Sequence, residues 1–159
     1  MEDGRLLVPS NPAMTIDQVF YRAALGAPGV SGEVWLAESI VDKRSVYYLF
    51  AADVSEEHSI YPADLSLDPQ VTFRAFETGD TSNVVEFTSS QPLNLKQSEE
   101  GEFVLWTVMA VESNGMSVQG EVDKWIGVSE ARFSRIEAVG ESEMVVEVVG
   151  VAEDYDKVN

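Results

Sequence analysis

The sequence predicts an all-β protein, an antiparallel β-sandwich of about nine to ten strands with little helix. Three observations carry that expectation. Val, Phe, Tyr and Thr cluster in short runs whose apolar residues recur in twos, the period of a strand, and not at the roughly 3.6 of a helix. Breakers separate the runs: Ala27-Pro28-Gly29, Asp68-Pro69, Thr78-Gly79-Asp80, Glu100-Gly101, Ser113-Asn114-Gly115 and Val139-Gly140-Glu141. The chain is 159 residues long without internal repeat or low-complexity tract, a length that suits one domain. The expected domain is therefore 1–159, with residues 1–15 read as an irregular N-terminal arm.

The expected strands, in order, are Gln18–Leu25, Glu33–Val41, Ser45–Val54, Val71–Glu77, Asn83–Thr88, Pro92–Lys96, Glu102–Glu112, Met116–Val122, Arg132–Val139 and Glu143–Val151. Helix is expected only at Ser129–Phe133, where Ser129 is placed to cap, and at Pro62–Leu65. Around Val71–Glu77, the apolar Val71, Phe73 and Ala75 alternate with Thr72 and Arg74, which reads as a strand with one wet face. In Glu143–Val149, Met144, Val146 and Val148 share one face and Glu143 and Glu147 the other. Phe103–Val111 is apolar on both faces: Phe103, Leu105, Met109 and Val111 on one, Val104, Trp106, Val108 and Ala110 on the other. Such a strand is either central with a cap over its outer face or covered by a further domain.

Charge and composition exclude several functions. The 28 acidic and 10 basic side chains leave a formal charge of −18. Phosphate binding needs cations, so nucleic acid is not an expected partner. An anionic membrane surface is excluded on the same ground, and no apolar window approaches the ~18 residues of a membrane span. The stretch Leu6-Leu7-Val8 is broken by Pro9 and Pro12 and preceded by acids, so no secretory signal is read and a cytoplasmic location is expected. Without cysteine there is no disulfide, thiolate metal site or cysteine nucleophile.

Catalytic constellations are scarce. His58 is the one histidine, which removes His-rich zinc sites, and no Gly-x-Ser-x-Gly elbow stands beside it. His58 reads as a loop residue after Glu56-Glu57. The glycine-rich Gly26–Gly32 lacks Gly-Lys-Ser/Thr and precedes a strand, so it reads as a turn. No metal site or cofactor is expected; the oxygen-rich clusters Glu99-Glu100-Gly101-Glu102 and Glu153-Asp154-Tyr155-Asp156 are the places where calcium would sit, though neither matches an EF-hand loop. If the chain were an enzyme, Asp123, Glu121 and Asp64 would be the carboxylates to examine, but no catalytic residue is assigned.

Aromatic side chains supply the remaining binding signal, because a flat ring beside polar groups stacks on a sugar face. Trp125, in Asp123-Lys124-Trp125, follows an expected strand and sits among charges. Trp35 alternates with Leu36, and the pair Tyr47-Tyr48 with Leu49, which places one of each on the surface. The ligand-binding candidates are Trp125, Asp123, Trp35 and Tyr48; Trp106 reads as core.

One stretch carries a family resemblance. Gln91-Pro92-Leu93-Asn94-Leu95-Lys96, then Glu102-Phe103-Val104-Leu105-Trp106-Thr107-Val108-Met109-Ala110-Val111 and Ser113-Asn114-Gly115-Met116, resembles the C-terminal β domain of raffinose-synthase-like and α-galactosidase-like glycoside hydrolases. There, a Leu-Lys strand leads through a Glu-aromatic step into an aromatic-Thr-Val-x-Pro-Val segment and an Asn-Gly turn. Upstream, His58-Ser59-Ile60-Tyr61-Pro62-Ala63-Asp64-Leu65 is similar to the family's Ile-x-x-x-Asp-Val/Leu segment, and Ser45–Val54 stands where its first hydrophobic strand lies. The likeness covers roughly Ser45 to Trp125. Ala110 replaces the family's Pro, and Gly120-Glu121-Val122 its Gly-Leu.

The resemblance implies a non-catalytic accessory module with a packing or carbohydrate-binding role. The family's catalytic aspartates lie on a (β/α)₈ barrel of about 250 residues, and no residue here inherits them. The partner it implies is a carbohydrate or a covering protein domain. The alternative from another class is a self-assembling or partner-binding acidic β protein without sugar ligand, its two-sided apolar strand buried against an oligomer mate.

Overall fold

The computed structural model describes residues 7–16, 25–26 and 30–150. Ten strands and one 3-10 turn occupy them: β1 Asn11–Thr15, β2 Glu33–Val41, β3 Arg44–Ala52, β4 His58–Ile60, the 3-10 turn Pro62–Leu65, β5 Phe73–Glu77, β6 Asp80–Phe87, β7 Leu93–Leu95, β8 Phe103–Ala110, β9 Phe133–Val139 and β10 Glu143–Val148. The all-β expectation holds. Of the expected strand Gln18–Leu25, all but Leu25 lies outside the described residues, as does Glu153-Asp154-Tyr155-Asp156.

Six strands form one antiparallel sheet in the order β1-β2-β3-β8-β5-β6. Its backbone is β2–β3, joined by a two-residue turn in which Asp42 and Lys43 both adopt positive φ (47° and 68°). That is the geometry whose twist matches a hairpin, reached here without glycine. β8 lies between β3 and β5, so it is central. Two small antiparallel pairs, β4–β7 and β9–β10, stand apart from this sheet.

The small pairs explain the two-sided strand. Val34, Leu49, Ala51, Phe73, Ala75, Phe87 and Val108 pack on one face with Ile60 of β4, Leu93 and Leu95 of β7, and Leu65 and Leu67. Val41, Val46, Tyr48, Phe76 and Met109 pack on the other with Val118, Val128, Phe133 and Ile136, flanked by Met144, Val146 and Val148 of β10. The result is three layers, with a large sheet between two two-stranded covers. Of the two ways to bury β8, the chain uses the first, a central position capped by its own elements. Removing apolar area from water at about 25 cal/mol per Å² drives both covers onto the sheet.

Three expectations need correction. Residues 11–15 are not irregular: β1 pairs with β2 from Asn11↔Glu38 to Thr15↔Trp35, helped by the Asn11 amide donating to Glu38 at 2.7 Å. As an edge strand it tolerates Pro12, which has no N–H to give. Met116–Val122 is not a strand, because Gly115 and Gly120 take positive φ (79° and 83°) and turn the chain. Ser129–Phe133 is the expected single turn, in which the Arg132 and Phe133 N–H groups donate to the Ser129 carbonyl and the Ala131 N–H to its Oγ, before β9 begins. His58 opens β4 opposite Leu95 and is not in a loop. In addition, β5 is wetter in the sequence than in the fold, since Phe76 reaches the second core and is buried.

Candidate functional site

The second face of the large sheet is covered by β9–β10 toward the β2–β3 turn, and aromatic toward the opposite end. The register places Trp35, Phe50 and Leu105 in one cross-strand row and Glu33, Ala52 and Phe103 in the next. Alternation puts all six side chains on the same face. The Phe50 and Phe103 ring centroids are 5.2 Å apart, and Phe103 and Trp125 5.8 Å apart. Trp125 is 60% exposed and Phe103 48%. Phe50, Phe103 and Trp125 therefore form a continuous aromatic strip, with Trp35 beside Phe50 and half-buried.

Trp125 reaches this strip from a tightly held loop. At its base the Glu121 N–H donates to the Gly127 carbonyl at 2.8 Å. Gly120 is required there: its φ is +83°, and a Cβ would stand 2.3 Å from the Gly127 carbonyl oxygen. The Glu121 carboxylate is 5% exposed and receives both Nε and Nη2 of Arg132, at 3.1 and 2.9 Å. This two-point pairing satisfies the buried acid, and the third Arg132 nitrogen, Nη1, donates to the Val149 carbonyl at 3.3 Å. On the far side, the Tyr48 hydroxyl donates to the Val128 carbonyl and accepts from the Val128 N–H, both at 2.8 Å.

Of the residues expected to bind ligand, Trp125 and Asp123 lie exposed in this loop, and Trp35 lies on the adjoining sheet face. Tyr48 does not join them. It is 2% exposed, and burial pushes its phenol up to about 12, partly offset by its bond to Val128. The alternation was resolved in favour of Tyr47 as the more exposed of the pair. Phe50 and Phe103 were not singled out from the sequence, because each sits in a run of hydrophobic residues that reads as core. Phe103 breaks from its run only by standing at the first position of β8, past the end of the cover.

Two of the three carboxylates named for catalysis, Glu121 and Asp64, are engaged within the fold. Glu121 is held by Arg132, and Asp64 Oδ2 accepts the Tyr61 N–H at 2.9 Å. In Glu99-Glu100-Gly101-Glu102, the Glu102 carboxylate folds back onto the Glu99 N–H, and the Gly101 N–H donates to Asp53. Among the described residues no three acidic or histidine side chains are grouped to hold a metal ion, and no helix is long and apolar enough to cross a membrane. At the other end of the sheet, a cleft of about 280 Å³ runs between Lys43, Arg44, Tyr47, Phe73, Met109 and Ile136, with Arg44 Nε paired to Glu112 at 2.7 Å. It brings together none of the expected site residues. In comparison with known proteins, the chain matches no family model, no curated protein and no solved structure.

Proposed function

We propose that this chain is a non-catalytic accessory β module that binds carbohydrate on the strip formed by Trp35, Phe50, Phe103 and Trp125, with Asp123 at its rim. The observation that carries the reading is the exposure of Trp125 and Phe103 in ring-to-ring contact, on a loop whose base is locked by a buried ion pair. Large rings left in water on a rigid support are pre-organised for a flat partner, since little conformational freedom remains to be lost on binding. The resemblance of Ser45–Trp125 to the C-terminal β domain of raffinose-synthase-like enzymes supports the same reading, and α-galactosides are the first sugars to try.

Calorimetric titration of neutral oligosaccharides, α-galactosides among them, tests it. Trp125→Ala is expected to weaken binding about tenfold, the scale of one lost aromatic contact, while leaving the denaturation midpoint unchanged. No binding by any oligosaccharide, or binding that ignores Trp125→Ala, would overturn the proposal.

The second reading is a partner-binding or self-assembling acidic β protein, with a covering domain or a second copy seated on the same rings. What favours it is the exposed ring pair Phe103 and Trp125, an apolar surface at the end of the sheet. Sedimentation separates the two, because a strict monomer at high concentration removes self-assembly.

A further inference from the structure

We infer that the aromatic strip selects cationic sugars, namely oligomers of deacetylated amino sugars, over neutral or acidic ones. The inference rests on the carbohydrate reading of this surface and names its ligand class. It follows from charge placed around rings. Glu33 lies on the same face of the sheet as Phe103, one strand beyond Ala52, and is exposed. Asp123 is exposed two residues before Trp125.

Among the described residues, Asp53, Glu102 and Lys124 are the further charged groups that flank the strip in sequence. Asp53 and Glu102 each accept a backbone N–H of the Glu99–Glu102 turn. Lys124 is the cation beside Trp125, and the remaining basic side chains are few, 10 against 28 acids over the chain. A formal charge of −18 raises the local concentration of cations at every surface and lowers that of anions. Uronic acid and sulfated sugars are therefore disfavoured before any contact forms.

At contact, two interactions act together. A protonated amine over the face of Trp125 or Phe103 is attracted by the ring quadrupole. The same amine within reach of Glu33 or Asp123 gains a charge-assisted hydrogen bond. A neutral acetamido or hydroxyl group at that position gains neither, so the preference belongs to the amine and not to the sugar ring.

The test is a titration with a β-1,4-linked glucosamine oligomer and with its fully N-acetylated counterpart of equal length. It is run at low and high salt, and at pH values where the amine is protonated and where it is neutral. The glucosamine oligomer is expected to bind about fivefold tighter when protonated at low salt, with the preference shrinking as salt screens it or the amine loses its proton. Glu33→Gln with Asp123→Asn is expected to erase the preference between the two oligomers, while Trp125→Ala weakens both. Equal binding of the two oligomers overturns the inference and leaves the carbohydrate reading standing. Binding of neither overturns the inference, and the carbohydrate reading falls with it only where the α-galactosides and other neutral oligosaccharides also fail to bind. Binding of the charged oligomer that ignores Trp125→Ala, or equal binding of an oligolysine, overturns the inference by showing that charge alone is being read.

Discussion

At Tyr48 a single hydroxyl ties the central sheet to the segment that follows Trp125. It donates to one backbone group of Val128 and accepts from the other, so Tyr48→Phe orphans two polar atoms in a buried place. A loss of about 1–3 kcal/mol is expected by urea denaturation. The phenol also sets a pH dependence. Burial holds the folded pKa at about 12 against an ordinary value of 10.0, so above pH 10 the unfolded chain releases this proton first. Stability is full below pH 10 and falls as pH rises toward 12, by about 2 kcal/mol from this group. Tyr48→Phe is expected to flatten that part of the profile; an unchanged slope would contradict the assignment. Glu121 and Arg132 make a second residue-scale case. Arg132→Met strands a buried carboxylate and is expected to cost about 3–5 kcal/mol, whereas replacing both partners by apolar residues costs far less. Nothing local marked Glu121 as buried. It is one of 28 acids, and its partner stands 11 positions on, in the turn at Ser129–Phe133.

Strands are where the sequence spoke most clearly. β2 has the expected bounds, and β3, β5, β7, β8, β9 and β10 each fall within the expected runs to within a few residues. The period of two survives in their side chains because each has at least one buried face. Met116–Val122 failed for a reason that periodicity cannot carry: its glycine, Gly120, serves a close backbone approach to Gly127, and its one acid is buried by pairing. The central place of β8 predicts that both faces of the sheet behave as core. Leu49→Ala on one face and Met109→Ala on the other are each expected to cost about 2–5 kcal/mol; a near-neutral result for either would mean that its cover does not form. The β2–β3 turn offers the reverse. Lys43 holds φ at 68° with a full side chain, so Lys43→Gly is expected to stabilise the hairpin by about 1 kcal/mol.

Over the whole molecule, the layering decides what is left for binding. A six-stranded sheet with two small covers buries β8 from Thr107 to Met109, and one cover stops short of the sheet's end. There the strip from Phe50 to Trp125 is exposed, within a surface whose charge is strongly negative. Trp125 and Trp35 were legible as candidates because charged neighbours or alternation set them apart. Phe50 and Phe103 were not, since exposure at the end of a strand depends on how far the opposing cover extends, a property of the assembled layers. The chain has three tryptophans, at 35, 106 and 125, which gives three indole N–H resonances to follow during an oligosaccharide titration. Movement of the Trp125 and Trp35 signals with Trp106 still is the expected result. A saturating titration that moves Trp106, or none of the three, would contradict a binding surface at this end of the sheet.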